Sequence, residues 1–388
     1  MLVEHPSTRL CLFVDDLTVL VVGKEEIVQT NVTKAIDRSI ELLEEEMGLK
    51  VSRKKTVVIA SSWQLAKKLR ARLERQSIAV KAKTKMLGVD FSCGKRVARS
   101  AQAARVKNVT ARKGRYKKLG KKAASRLVKA GAAPAMLYGA GVYGVPNTTL
   151  KAVRGFACAV RGEMRGRSTF ARLELARYDP GAAGAVAPIV DWAKALWDGE
   201  ALTEDLKLVW QRAHSLIGRS PTPFRHVAGP GSAMLASCLR LGWRVPRFDT
   251  FLTCSGSLLD LKRVCPLQIQ LHAFRDLRWT EAARSSLAAR IGGPPDLEPL
   301  SDFLASKKMD NSQAAASLRA LGEGGWWTQS RLHKEGRVAD PWCKACGNRD
   351  GLGPVEGTLH HRMAACSASS GLRDSFEDKQ IIGRAQGV

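Results

Sequence analysis

Residues 9–22 place strand-forming, mostly apolar residues on both sides of an adjacent acidic pair. The stretch Arg9-Leu10-Cys11-Leu12-Phe13-Val14-Asp15-Asp16-Leu17-Thr18-Val19-Leu20-Val21-Val22 predicts a β-hairpin with Asp15 and Asp16 at its tip. From residue 25 to 47 the apolar positions Ile27, Val32, Ile36, Ile40, Leu43 and Met47 stay close to the helical period. Asp37, Glu41, Glu44 and Glu45 fall on other faces. Gly48 supplies the stop. Residues 56–60 read as a strand and 63–75 as a second helix, basic on one side, with Leu65, Leu69 and Leu73 at i, i+4 and i+8. Residues 85–93 read as the next strand or hairpin. Further helices are expected over 150–164 and, separated by Pro and Gly turns, from 191 to about 327. In that last region Trp192, Trp197, Leu202, Leu206 and Trp210 are the expected core. The Gly/Ala-rich stretch 181–188 reads as a soft break and a domain boundary. His214, His226 and His272 are isolated, as packing or surface histidines are, and the region shows no catalytic constellation.

Composition sharpens this picture through charge. The 388-residue chain is 45% hydrophobic, enough for two or three domains with a sizeable core, and carries a formal charge of +27. Self-repulsion on that scale calls for a polyanionic partner. The imbalance peaks over 95–129, where Lys95, Arg96, Arg99, Arg105, Lys107, Arg112, Lys113, Arg115, Lys117, Lys118, Lys121, Lys122, Arg126 and Lys129 occur with no acidic residue among them. A salt-bridged surface helix would mix signs, so the run points to phosphate contact. Its plainer alternative is a nuclear-import or solubilising sequence. Val97, Ala101, Ala104, Val109, Tyr116, Leu119 and Leu127 are the expected inner face. A membrane surface is the rival partner, but the chain has no lipidation motif, no basic amphipathic anchor and no apolar run of membrane-spanning length. The first residues do not read as a signal peptide. Nine cysteines, most of them scattered, fit a reducing compartment, so nucleus or cytoplasm is expected rather than secretion.

Two clusters carry chemistry. Adjacent carboxylates on a rigid turn repel each other unless a cation lies between them, and a hard ion such as Mg²⁺ (or Mn²⁺) is the natural one. Asp15 and Asp16 are therefore candidate ligands of the kind that two-metal phosphoryl transfer uses. The plain alternative is an ordinary Asp-Asp turn facing solvent. Near the C-terminus, Cys343-Lys-Ala-Cys346 is followed by His361 and then Cys366, a Cys-x₂-Cys…His-x₄-Cys spacing. Three thiolates and an imidazole suit structural Zn²⁺. Gly347 permits a tight knuckle, and a segment with so few apolar residues would gain most of its folding energy from the metal. His360 competes with His361, and spacing to Cys366 favours His361. Lys344, Arg349 and Arg362 lie around the site and fit phosphate contact. Trp326 and Trp327 just upstream are either base-stacking groups or, more commonly, apolar anchors. Residues 371–388 are polar and expected to be disordered.

Phe13-Val14-Asp15-Asp16 resembles the (Tyr/Phe)-x-Asp-Asp signature of reverse transcriptases. Gly48-Leu49-Lys50-Val51 with Lys55-Thr56 resembles the next palm motif, and Met86-Leu87-Gly88-Val89-Asp90-Phe91 resembles the Leu-Gly hairpin that grips the primer end. The order and spacing match non-LTR (LINE-type) retrotransposon polymerases, specifically over about 9–92 and more loosely beyond. The Thr358-x-x-His361 and Trp326-Trp327…Arg331-Leu332-His333 patterns resemble the stretch around those elements' zinc knuckle. The resemblance implies an α+β chain: a partial palm of antiparallel strands with helices (1–94), a basic helical thumb (95–180), a helical linker region (181–335), a Cys-Cys-His-Cys knuckle (336–370) and a tail (371–388). It implies Asp15 and Asp16 as catalytic metal ligands, Lys55 near nucleotide phosphates, Leu87 and Gly88 at the primer end, and RNA and DNA as partners. Without it, Lys55 is one more lysine in the run Arg53-Lys54-Lys55.

The family's third carboxylate and its template-binding fingers lie well upstream of the acid hairpin, where this sequence has only the residues before Arg9 and Glu4 alone among them is acidic. The expectation is thus the C-terminal part of an RNA-directed DNA polymerase, inactive alone, with another chain that supplies the missing half as a further candidate partner. Its rivals are a catalytically inactive nucleic-acid-binding protein derived from such an element, and an intron maturase-like protein, which would not be expected to end in this cysteine pattern.

Overall fold

Packing divides the chain into two units, Met1–Ala101 and Gln102–Val388. The structure is a computed structural model and describes residues 8–13, 16–92, 99–161, 168–199, 201–218, 220–291, 293–305, 319–320, 327–346, 353–358, 360–361 and 365–370. The fold class is α+β.

In the first unit, β1 (Thr8–Phe13) pairs antiparallel with β2 (Asp16–Val21), in register from Thr8 opposite Val21 to Phe13 opposite Asp16. Helix α1 (Glu25–Glu41) runs on through a π-helical turn, Leu42–Glu46, and ends at Gly48 with φ +67°. β3 (Val57–Ile59) leads to α2 (Trp63–Leu73), whose first turn is capped by Ser62 Oγ accepting from the Leu65 amide at 3.2 Å. β4 (Ala79–Lys81) follows. The apolar stripe read from the sequence is the core: Leu65, Leu69 and Leu73 of α2 pack with Val28 and Val80. β5 (Lys83–Met86) and β6 (Val89–Ser92) form a hairpin that turns on Leu87 and Gly88, at φ +48° and +77°. Two successive positive φ values are the mark of a type I′ turn.

The strands depart from the expected antiparallel palm in one respect. Among the described residues they form separate two-stranded ladders, and β3 with β4 is parallel. The cause is α2. A helix that returns the chain to the starting end of its strand forces the next strand to run the same way.

Helix α3 (Ser100–Ala111) spans the division between units. In the second unit α4 (Lys113–Lys117) and α5 (Lys121–Leu127) follow, and a π-helical turn, Val128–Ala132, joins α5 to α6 (Ala133–Leu137). The basic helices bury less of their expected inner face than the pattern suggested. Leu119, Leu127 and Ala104 are exposed, whereas Ala124 and Val128 are buried. The short helix α7 (Ala140–Tyr143), the longer α8 (Asn147–Val160) and the short α9 (Thr169–Leu175) come next.

The break expected at 181–188 is instead the first half of α10 (Ala182–Trp197), a central helix that packs on α7. Its small residues serve close approach rather than flexibility: a Cβ on Gly184 would fall 2.7 Å from Leu137 Cδ2. α10 also packs against α12 (Pro230–Arg240) and α13 (Pro266–Ala283), and α11 (Thr203–Ile217) packs on α12. Between α12 and α13 lies a small antiparallel sheet, β7 (Arg244–Arg247), β8 (Thr250–Leu252) and β9 (Leu258–Asp260). α14 (Ser286–Ile291) and α15 (Glu298–Ala305) close this part.

Of the apolar residues expected inside, Trp192 and Leu206 are buried, while Trp197 and Leu202 are exposed. The indole N–H of Trp192 donates to the Phe248 carbonyl at 2.8 Å. That of Trp243, also buried, donates to Asp276 at 2.7 Å. Arg154 ties α8 to the turn before α10 through Asp179 (2.6 Å) and to α13 through Glu281 (3.0 Å). Burial opposes its charge, but the two carboxylates outweigh that and hold its pKa above the ordinary value. Among the described residues no helix is long and apolar enough to cross a membrane.

Candidate metal centre and nucleic-acid interface

The acid-bearing hairpin and the Leu-Gly hairpin meet. Thr18 Oγ1, on β2, donates to Met86 Sδ at 3.2 Å. Residues two apart share a face of a strand, so Asp16 lies on the side of β2 that meets the β5–β6 hairpin. Asp16 itself is exposed at the first position of β2. Asp15, the other half of the predicted Mg²⁺ pair, lies outside the described residues. Lys55 is exposed in a turn closed by its own amide donating to the Ser52 carbonyl at 3.0 Å. Leu87 is exposed at the tip of its turn.

Asp90 has a role that the sequence pattern did not reveal. It is buried on β6 and accepts from the Ala101 amide at 2.7 Å and from Ser100 Oγ at 3.1 Å. A carboxylate on the first amides of a helix offsets the positive end of its dipole. Asp90 thus anchors the start of α3, the first of the basic helices.

Along α4 and α5 the predicted phosphate-binding residues Arg112, Arg115, Lys117, Lys118, Lys121 and Lys122 are exposed, and Lys113 is half-buried. None of them has an ion-pair partner among the described residues. Tyr116 gives the segment its anchor, packing edge-on against Phe156 of α8 with ring centroids 5.4 Å apart.

The predicted C-terminal ligands come together. Cys343, Cys346, His361 and Cys366 are all buried, and their ligand atoms lie within 4.8 Å of one another. Cys346 Sγ is 3.3 Å from His361 Nε2, and Cys343 Sγ is 3.9 Å from Cys366 Sγ. The four could hold a metal ion, and among the described residues they are the one group of three or more ligating side chains so placed. His361 is the inward histidine and His360 is exposed. Thr358 Oγ1 sets the backbone there by accepting from the His361 amide at 3.0 Å.

Local pairing brings the ligands together. The Cys343 amide donates to the Val355 carbonyl at 2.8 Å and the Gly357 amide to the Pro341 carbonyl at 2.8 Å, around a bridge between Trp342 and Glu356. Gly357 is needed for close approach. A Cβ there would fall 2.8 Å from Gln329 Cβ and 3.2 Å from Cys343 Cα.

The thiols perturb one another. Burial would raise the Cys343 thiol, but the amides of Cys346 and Ala345 together with the Cys346 and Cys366 thiols outweigh it and hold the group below its ordinary value. Burial and the neighbouring Cys343 and Cys366 push Cys346 up to about 11. Crowded thiolates repel one another until a cation is shared among them.

Lys344, expected at phosphate, is instead paired with Asp340 at 2.7 Å. Trp327, expected as a base-stacking group or an apolar anchor, is exposed and lies beneath two guanidinium groups. Gly347, Arg349, Arg362, Trp326 and the tail lie outside the described residues. No family model matches the chain, and neither a curated protein nor a solved structure matches it.

Proposed function

We propose that this chain is a nucleic-acid-binding portion of a non-LTR retrotransposon-type reverse transcriptase, running from the palm's acid hairpin to a C-terminal zinc module. The observation that supports the reading best is the hydrogen bond between Thr18 and Met86. It makes neighbours of the hairpins that the resembling polymerases use for metal ions and for the primer end. In this reading Asp15 and Asp16 hold Mg²⁺ or Mn²⁺ in a two-metal phosphoryl-transfer site. Lys55 lies near nucleotide phosphates, where a cation offsets developing charge. Leu87 and Gly88 bear on the primer strand. The exposed cations of α4 and α5 neutralise backbone phosphates without reading sequence.

Zinc is the proposed metal at Cys343, Cys346, His361 and Cys366. Tetrahedral Zn²⁺ with bonds of about 2.0–2.3 Å needs ligand atoms about 3.5–3.8 Å apart, and the distances of 3.3 and 3.9 Å bracket that range. Closed Cys₃His sets are structural, so the ion would supply folding energy rather than chemistry.

A second reading, binding without polymerisation, needs only the exposed cations of α4 and α5 and the buried Cys/His group. A fluorescent RNA–DNA template-primer tests both. Salt-sensitive binding that Mn²⁺ tightens, an effect lost in Asp15→Asn/Asp16→Asn, selects the polymerase portion. Salt-sensitive binding indifferent to Mn²⁺ selects the second reading, and no binding contradicts both.

A further inference from the structure

The short helix Gln329–Lys334 is fixed at both ends. Thr328 Oγ1 caps its start, accepting from the Arg331 amide at 3.3 Å. At its end Gly336 takes φ +67°, the Arg337 amide donates to the Leu332 carbonyl at 2.9 Å and the Gly336 amide to that of His333 at 2.9 Å. This is a Schellman stop. The two caps set Trp327 just before the helix and Arg337 just after it, with Arg331 in the first turn.

The three side chains converge. Arg331 Cζ lies 4.8 Å and Arg337 Cζ 5.0 Å from the Trp327 ring centroid. Neither guanidinium has an acidic partner among the described residues. Each is steadied by the negative face of an indole that is itself 44% exposed. Like charges gathered this closely repel, and stacking on an aromatic ring leaves their N–H forks available.

The helix is also bolted to the cysteine cluster. The Ser330 amide donates to the Gly357 carbonyl at 3.2 Å, Ser330 Oγ donates to the Glu356 carboxylate, and Gln329 Nε2 donates to the Asp340 carbonyl at 3.3 Å. The cluster thus holds a preformed pair of cations in place.

We infer that Trp327, Arg331 and Arg337 form a clamp for the phosphodiester backbone of single-stranded nucleic acid. The guanidinium forks take phosphate oxygens, and the exposed part of the indole packs on an unstacked base. Single strands fit better than duplex because only there is a base face free to meet the ring. The inference rests on the nucleic-acid reading above and adds a binding site to it.

The test uses the full chain loaded with zinc and a labelled 20-nucleotide oligo(U), with affinity measured against KCl concentration. Arg331→Gln/Arg337→Gln should lower the slope of log affinity against log salt by about 1.4, or about 0.7 for each phosphate no longer neutralised. Arg331→Lys/Arg337→Lys should keep the slope and weaken affinity, since charge remains while the fork is gone. Trp327→Leu should weaken binding about fivefold or more. Zinc content equal to wild type in each variant shows that the module is folded. Wild-type binding with an unchanged slope in the Gln variant overturns the clamp alone. Polyglutamate binding that the Gln variant abolishes, with oligo(U) binding intact, assigns the site to an acidic peptide and overturns it too. A chain that binds no oligo(U) overturns both the clamp and the nucleic-acid reading.

Discussion

His361 Nε2 lies 3.3 Å from Cys346 Sγ, inside a buried group of four potential ligands, while the adjacent His360 is exposed. One ring and not its neighbour should therefore bind metal. Purified chain should release about one equivalent of zinc on treatment with a thiol reagent. His361→Ala should lower that yield sharply and His360→Ala should leave it unchanged. Equal yields from the two variants would contradict the assignment.

Gly357 is placed to couple the cluster to the helix Gln329–Lys334. A methyl group at this position would press on Gln329 and on the Cys343 backbone at 2.8 and 3.2 Å. Overpacking of this kind costs about 1–3 kcal/mol. Gly357→Ala should weaken zinc affinity in a chelator competition, although it removes no ligand. Unchanged affinity would show that the two segments are not mechanically linked.

Leu87 holds φ +48° in the turn between β5 and β6, a region that costs a non-glycine residue about 1–2 kcal/mol. Asparagine tolerates it better. Leu87→Asn should raise the stability of the first unit by about 0.5–1 kcal/mol in urea unfolding. If the leucine bears on the primer strand, the same variant should weaken template-primer binding. A gain in stability with no change in binding would make the leucine a purely local oddity.

Arg154 spans Asp179 and Glu281 with its side chain only 11% exposed. Removing one partner of a buried ion-pair network leaves charge without compensation, at about 3–5 kcal/mol. Arg154→Met should lower the urea midpoint of the second unit accordingly. A shift of less than about 1 kcal/mol, the range of exposed pairs, would mean that solvent reaches the network.

Where a single physical rule governed a segment, the sequence was a good guide. Leu65, Leu69 and Leu73 announced the core of α2 through their period, and the cysteine spacing announced the buried Cys/His group, with His361 rather than His360 inside it. The misreadings have a common cause. Gly184 and Ala185 look like a break because small residues favour turns, yet the same smallness lets α10 approach Leu137. Asp90 looks like an ordinary strand-end acid, and its role as an anchor for α3 depends on a partner ten or more residues away. Trp327 shows no sign in the sequence of whether it faces core or cation. That is settled by the caps around Gln329–Lys334.

The central claim is that a polyanion is this chain's partner, met by the exposed cations of α4 and α5. The most direct measurement is the salt dependence of full-chain binding to an RNA–DNA template-primer, with Lys117, Lys118, Lys121 and Lys122 replaced together by Gln. The account predicts a steep wild-type slope that falls by about 0.7–0.9 for each phosphate the variant leaves without a cation. A wild-type affinity indifferent to salt, or a variant with the wild-type slope, would contradict it.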